Sequence, residues 1–265
     1  WHVQYIRWIK NAFSGNLGMS YTYNVPVKTL IGERAVNTFI LSLVSLILTY
    51  CIAIPLGMLS GRYQNSFLDK VVTFYNYVSY AIPTFVLSLI MIWFFGYKLG
   101  WFPTTGSVTA GLETGKIGHF WDRIYHIILP AITYALLGTT WIIQYLRNEV
   151  IEAKSLDYVK TAKSKGVPEN RIYSRHIFRN SILPIAAFFG YAITGLLGGS
   201  IFIEKIFSYP GMGGLFINSI VTRDYSVVTA LILLFGFLTL FGSLLSDIIL
   251  SIVDPRIRIK VVKKI

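Results

Sequence analysis

Cysteine, acidic side chains and charge in general are scarce in this chain of 265 residues. Cys51 is the single cysteine, so neither an intrachain disulfide nor a cysteine-based metal site is available. It lies inside an apolar run, where a packed thiol is expected rather than a reactive one. Charged residues make up 14% of the sequence, against about 25% in an average soluble domain. That deficit points to a surface facing lipid. Only 12 residues are Asp or Glu, and none forms an evident acid–base pair. His2, His119, His126 and His176 are scattered, with no His-x-x-x-His pair. No Gly-x-x-x-x-Gly-Lys-Ser/Thr phosphate loop occurs either, and that loop is what nucleotide binding of the P-loop type needs. The expectation is a chain with no catalytic residues, no cofactor and no metal of its own, hence not an enzyme.

What is present is apolar length. Hydrophobic residues are 54% of the chain. About 20 apolar residues at 1.5 Å rise each cross the hydrocarbon core. Five segments qualify: Asn37 to Leu59, Val71 to Tyr97, Ile124 to Leu146, Ile182 to Ile203, and Ser226 to Val253. They are too long for strands and too apolar all round for surface helices. The fold class expected is an all-α membrane protein, a polytopic bundle with five transmembrane helices. Pro55 and Pro83 fall inside the first two spans and predict kinks. Gly195, Gly198 and Gly199, with Ser200, predict close helix approach in the fourth.

Basic residues number 24, giving a formal charge of +12. In a soluble protein this would suggest nucleic acid. Here the basic residues lie between apolar spans, which suits membrane lipid and no nucleic acid. With five spans, the segments 61–70, 147–181 and 254–265 share one side and carry most of the basic residues. The positive-inside rule makes that side cytoplasmic. Residues 1–36 are then external. An external start with four basic residues (Arg7, Lys10, Lys28 and Arg34) inserts poorly alone, so a sixth span upstream is expected. Trp1, Tyr5, Ile9 and Phe13 recur at helical spacing, and Trp8 adds an interfacial anchor, so residues 1–13 read as a surface amphipathic helix. The chain is expected to be a single transmembrane domain: external segment 1–36, core 37–253, cytoplasmic tail 254–265.

The segment from Arg147 to Ser181 is long for a connector. Its first helical stretch includes Glu149, Val150, Ala153, Tyr158, Val159 and Ala162. Gly166 interrupts, and Pro168 opens a second stretch running from Glu169 to about Ile182. Such a projection suits docking to an energy-converting partner. Asp247 is the only acid expected deep in a span; a coupling-ion site and a pairing with a basic neighbour both remain open. The run Tyr75, Asn76, Tyr77, Ser79 and Tyr80 either lines a pathway or packs between helices. An ion-coupled transporter would need more intramembrane ionisable groups or an internal repeat. A membrane enzyme would need an acid–base or metal constellation, and none is evident.

Asp157-Tyr158-Val159-Lys160-Thr161-Ala162-Lys163-Ser164-Lys165-Gly166, followed by His176, Arg179-Asn180 and Leu183-Pro184, resembles the EAA loop of ABC importer permeases of the oligopeptide/dipeptide/nickel family. Lys160-Thr161 stand where the general pattern has Glu-Ala. Further matches run along the chain: Tyr5 to Trp8, Gly15 to Gly18, Ile82-Pro83-Thr84-Phe85, Leu99 to Pro103, Leu129-Pro130-Ala131, Glu204 with Phe207-Ser208, Pro210-Gly211, Gly213 and Leu215, then Arg223-Asp224-Tyr225 and Asp254-Pro255-Arg256. The order fits the first, B-type member of two paired permeases, with a type I importer fold. The resemblance implies a heterodimer with a second homologous permease, two ABC ATPase subunits that bind the ATP and Mg, and an extracytoplasmic substrate-binding protein. It places the chain in a bacterial or archaeal cytoplasmic membrane. It implies that Asp157, Tyr158, Val159, Thr161, Ala162, Lys163, Lys165, Gly166 and Arg171 form the ATPase contact. Oligopeptides or dipeptides are the implied cargo; nickel complexes, glutathione and sugars are carried by the same family.

Overall fold

The computed structural model describes residues 2–111 and 117–253. Trp1, Lys116 and the tail from Asp254 to Ile265 lie outside the described residues. The described residues are helical apart from turns and one isolated bridge between Met19 and Pro26.

The helices are α1 (His2–Phe13), α2 (Val27–Arg62), α3 (Phe67–Ala81), α4 (Thr84–Met91, continued by a π-helical Ile92–Lys98) and α5 (Ile117–Ala153). They continue as α6 (Asp157–Ser164), α7 (Glu169–Arg171, continued by a π-helical Ile172–Ile177), α8 (Phe178–Ser181), α9 (Leu183–Gly195), α10 (Ile201–Ile206), α11 (Met212–Val221) and α12 (Tyr225–Val253).

Three helices are long and apolar enough to span a membrane unbroken, namely α2, α5 and α12. Counting each bent helix pair as one span gives up to five. The second and fourth expected spans therefore need correction. The second breaks between α3 and α4, at Ile82 and Pro83. Proline lacks a donor and pushes the preceding residue out of the α region, and Ile82 is extended at φ −83°, ψ 119°. Pro55 instead stays within continuous α2. The fourth ends at Gly195, eight residues before Ile203, because the glycine-rich run to Gly199 turns the chain; Gly199 has φ +60°. Of the expected glycines, Gly199 does admit a neighbour, since a Cβ there would lie 2.7 Å from Thr38 Cγ2 of α2, and within α9 Gly190 brings α12 close. A Cβ there would lie 2.3 Å from the backbone nitrogen of Ser246 on α12.

Two compact sets of elements emerge. Among the described residues, one comprises 2–44, 84–111, 117–133 and 194–241; the other comprises 45–83, 134–193 and 242–253. The first has a core of Val27, Leu30 and Ile31 of α2, Met212 and Leu215 of α11, and Val227, Ala230 and Leu231 of α12. The second has a core that joins Ile142, Ile143, Leu146 and Val150 of α5 to Val159, Ala162, Ile172, Ile177 and Ile185.

Candidate functional site

The segment after α5 builds the candidate site. Leu156 is extended and starts α6 without a side-chain cap. Asp157 in the first turn and Lys163 in the last turn complement the helix dipole. Asp157 and Lys160 form an exposed ion pair at 3.0 Å, a geometry that contributes at most a few tenths of a kcal/mol. The helix closes in a Schellman turn. Gly166 N–H donates to Lys163 O at 2.9 Å and Val167 N–H to Ala162 O at 3.2 Å. Gly166 has φ +71°, with open space where a Cβ would stand. Its requirement is thus one of backbone sign rather than of room.

α6 is held by two side chains. Val159 and Ala162 are buried among Val150 and Ala153 of α5 and Ile172, Tyr173 and Ile177 of the following helix. They are therefore the anchors of the element. Tyr158 is half-buried, and its hydroxyl has no hydrogen-bond partner among the described residues. Asp157, Thr161, Lys163, Lys165, Gly166 and Arg171 are exposed. Of the nine residues expected at the contact, these six face outward. The first expected helical stretch also needs correction: Glu149, Val150 and Ala153 belong to α5, and a turn at 154–156 separates them from α6.

Under α6 lies a polar clamp that sequence reasoning missed. Arg147 sits in α5 rather than in the projecting segment. Its Nε donates to Asp69 Oδ1 at 2.6 Å and its Nη2 to Asp69 Oδ2 at 2.8 Å. Asp69, 2% exposed, also accepts from Ser60 Oγ and from Asn65 N–H at 2.8 Å. Ser66 caps α3 through Asp69 N–H. Gly61 at the end of α2 lets Val150 approach, because a Cβ there would stand 2.7 Å from the Val150 Cβ. Arg62 stacks on Tyr173 at 4.7 Å and donates to Asn170 Oδ1 at 2.8 Å. Lys154 donates to Arg62 O at 2.8 Å, and burial pushes its ammonium pKa down. The clamp ties the α2–α3 turn to the end of α5 and to the helix that carries α6. The only sequence signal was a Ser, an Asp and an Arg bordering apolar runs.

The expected pathway residues divide. The Tyr75 hydroxyl donates to Leu136 O and pairs with Thr139 Oγ1, both at 2.7 Å. Asn76 is buried and its Nδ2 faces Gln144 Oε1 at 3.4 Å. These two pack α3 on α5. Ser79 is half-buried, whereas Tyr77 and Tyr80 are 71% and 88% exposed. Asp247 is exposed on α12 and makes no ion pair with a described residue.

A second polar constellation stands around Glu204. Its Oε1 accepts from Thr38 Oγ1 at 2.8 Å and its Oε2 from Gly214 N–H at 3.0 Å. Thr38 Oγ1 in turn accepts from Met212 N–H at 2.8 Å. Gly211 and Gly213 make room: a Cβ on Gly211 would fall 2.3 Å from the Glu204 carboxyl carbon. Burial raises the Glu204 pKa against these hydrogen bonds, and burial pushes Tyr209 up to about 12. Asp224 behaves in the opposite way. Burial pushes it upward, but donors at Ser20, Thr22, Val227 and Tyr21 outweigh that and hold it below its usual range.

The chain is similar to known proteins. The family described as binding-protein-dependent transport system inner membrane component matches residues 53–259. The oligopeptide transport system permease protein AppB of Bacillus subtilis is 40% identical over 97% of this chain and 80% of its own length. The dipeptide transport system permease protein DppB of Lactococcus lactis subsp. cremoris is 32% identical with the same coverages. A putative peptide permease protein of Brucella suis is 34% identical, again over 97% and 80%. Among solved structures, inward-facing MetNI, a methionine ABC transporter, superposes with TM-score 0.63 at 15% identity, covering 85% of this chain and 96% of that one.

Proposed function

The chain belongs to the family of inner membrane components of binding-protein-dependent transport systems and is a permease subunit of an ABC importer, and on that footing we propose that its cargo is peptide and that α6 is its contact with a cytoplasmic ATPase. The single observation carrying the second part is the division of α6 into two faces. Val159 and Ala162 fasten it to α5 and to the 169–181 helix, while Asp157, Thr161, Lys163 and Lys165 remain exposed. A short helix fastened in this way transmits displacement to α5 as a rigid body. Peptide as cargo is supported by the oligopeptide and dipeptide permeases named above.

The full assembly in this reading contains a second homologous permease, two ATPases that bind ATP and Mg, and an external binding protein that delivers the peptide. The segment 147–181 is cytoplasmic. Tyr77 and Tyr80, exposed on α3, are the two members of the expected pathway run free to face cargo or the second permease.

Reconstitution in proteoliposomes tests the proposal. With both permeases, both ATPases and the binding protein present, oligopeptide uptake should require ATP. Uptake that persists without the ATPases overturns the ATP-driven reading. Uptake of a nickel complex, glutathione or a sugar in place of peptide overturns the cargo. A Thr161→Cys substitution in a Cys51→Ser background, alkylated with a thiol-reactive photo-cross-linker, should capture the ATPase on illumination; absence of any capture from this exposed face counts against the contact.

A further inference from the structure

The first set of elements carries an apolar groove that the transport reading leaves unused. It encloses about 480 Å³, within the range of small-molecule sites. Trp8, Ile9 and Ala12 of α1 form one wall, and Leu233, Leu234 and Phe237 of α12 form the other. Lys28 is its single charged lining residue among those described. The walls offer almost nothing to a polar occupant, so the body of whatever fills the groove is hydrocarbon.

The rim has the opposite chemistry. Lys28 is exposed and is the second residue of α2. A cation in the first turn of a helix meets the positive end of the macrodipole. That placement is unfavourable for the chain alone and favourable once an anion joins it; the Val27 N–H is already bonded to Gly18 O at 3.0 Å, so the ammonium and the positive helix end supply the attraction. Lys28 makes no ion pair with a described residue. Arg7 and Lys10 are exposed on α1, the helix whose Trp8 lines the groove. A basic amphipathic helix with a Trp anchor is the arrangement that lies in a membrane interface. From the groove wall, Leu233 and Phe237 lead on to Leu240 along α12 as an exposed stripe, at 49%, 64% and 74% exposure.

The geometry points to a bound anionic phospholipid, its phosphate at Lys28 and the start of α2, and one acyl chain in the groove against Leu233 and Phe237. The stripe toward Leu240 gives the chain a track along the helix axis. A polypeptide helix also fits an apolar groove by shape, and capture of protein by a cross-linker at Ile9 would reveal it. The cationic rim selects the lipid.

The test uses the permease assembled with its partner subunits, purified from nanodiscs of equal phosphatidylglycerol and phosphatidylcholine, with retained lipid counted by native mass spectrometry. One phosphatidylglycerol per copy of this chain is expected to remain. Lys28→Gln should lower its retention relative to phosphatidylcholine by about fivefold, the worth of one basic side chain at an anionic surface. Ala12→Phe, which fills the groove from its half-buried wall, should abolish retention of either lipid. Both variants are read on assemblies that keep the parent's unfolding midpoint. If Ala12→Phe fails that criterion, Lys28→Gln decides alone. Equal retention of the two lipids, or retention unaltered by Lys28→Gln, overturns the proposal. So does a photo-cross-linker at Ile9 that captures protein instead of lipid.

Discussion

Asp69 and Glu204 are both buried carboxylates, 2% and 1% exposed, but the chain keeps them by opposite means. Asp69 is met by a guanidinium in two-pronged geometry, a hydroxyl and a backbone N–H. Glu204 has no cation within hydrogen-bond reach among the described residues; a threonine hydroxyl and glycine N–H groups surround it. The first device joins residues 78 positions apart in sequence and fastens the scaffold beneath α6. The second depends on glycines that let backbone close around a carboxylate. Charge pairing tolerates little loss of either partner, whereas a backbone cage tolerates little gain in volume.

That contrast can be broken most sharply at Arg147. Arg147→Met should cost about 3–5 kcal/mol by leaving Asp69 buried and unpaired. SDS-titration unfolding reads the loss, and the double variant with Asp69→Leu should recover most of it. A single-variant loss below about 1 kcal/mol would mean that solvent reaches the pair. The cage should fail next, through overfilling. Gly211→Ala puts a methyl into the Glu204 carboxylate and should cost about 1–3 kcal/mol in the same assay, while Gly32→Ala, with open space at its Cβ position, should be close to neutral.

The pH dependence separates the cage from an ordinary carboxylate site. Glu204 has a raised folded pKa. Its contribution is therefore most favourable below the unfolded value of about 4.3 and declines as pH rises toward the folded one. Glu204→Gln should remove that decline, at a cost of about 1 kcal/mol at low pH from one mismatched hydrogen bond. Asp224 has a depressed pKa. Its contribution is present above about 3.9 and is lost as pH falls through the folded value, so Asp224→Asn should flatten the acid limb instead. Thermal unfolding across pH distinguishes the two slopes. Gly166→Val should cost about 1–2 kcal/mol of left-handed backbone strain with no packing penalty. Membrane insertion should persist while ATPase association and peptide uptake fall.

Much of the architecture was legible in composition and periodicity. α12 begins at Tyr225, one residue from its expected start, because no proline and no charged residue other than Asp247 interrupts the run to Val253. The Gly166 turn followed from glycine and proline placement, and the second stretch begins at Glu169 as expected. Ile182 to Ile203 misled because apolar content masks a turn: Gly198 and Gly199 are counted as neutral in a hydropathy run, yet they end the helix. Val159 and Ala162, expected with the contact, are buried and fasten α6, which the sequence could not show. A motif names which residues recur together, and it does not distinguish those that anchor an element from those it presents.

Lengths of apolar run, the scarcity of acids and the surplus of basic residues determined by themselves that this chain is a helical membrane protein. Each of these depends on the water-to-lipid transfer of whole segments, which sums along the sequence and needs no partner. Only the tertiary structure decided which glycine admits a neighbouring helix, which face of α6 stays free, and which cation meets Asp69. Those outcomes depend on contacts between residues far apart in the chain, where a few tenths of an ångström separate a fit from a clash.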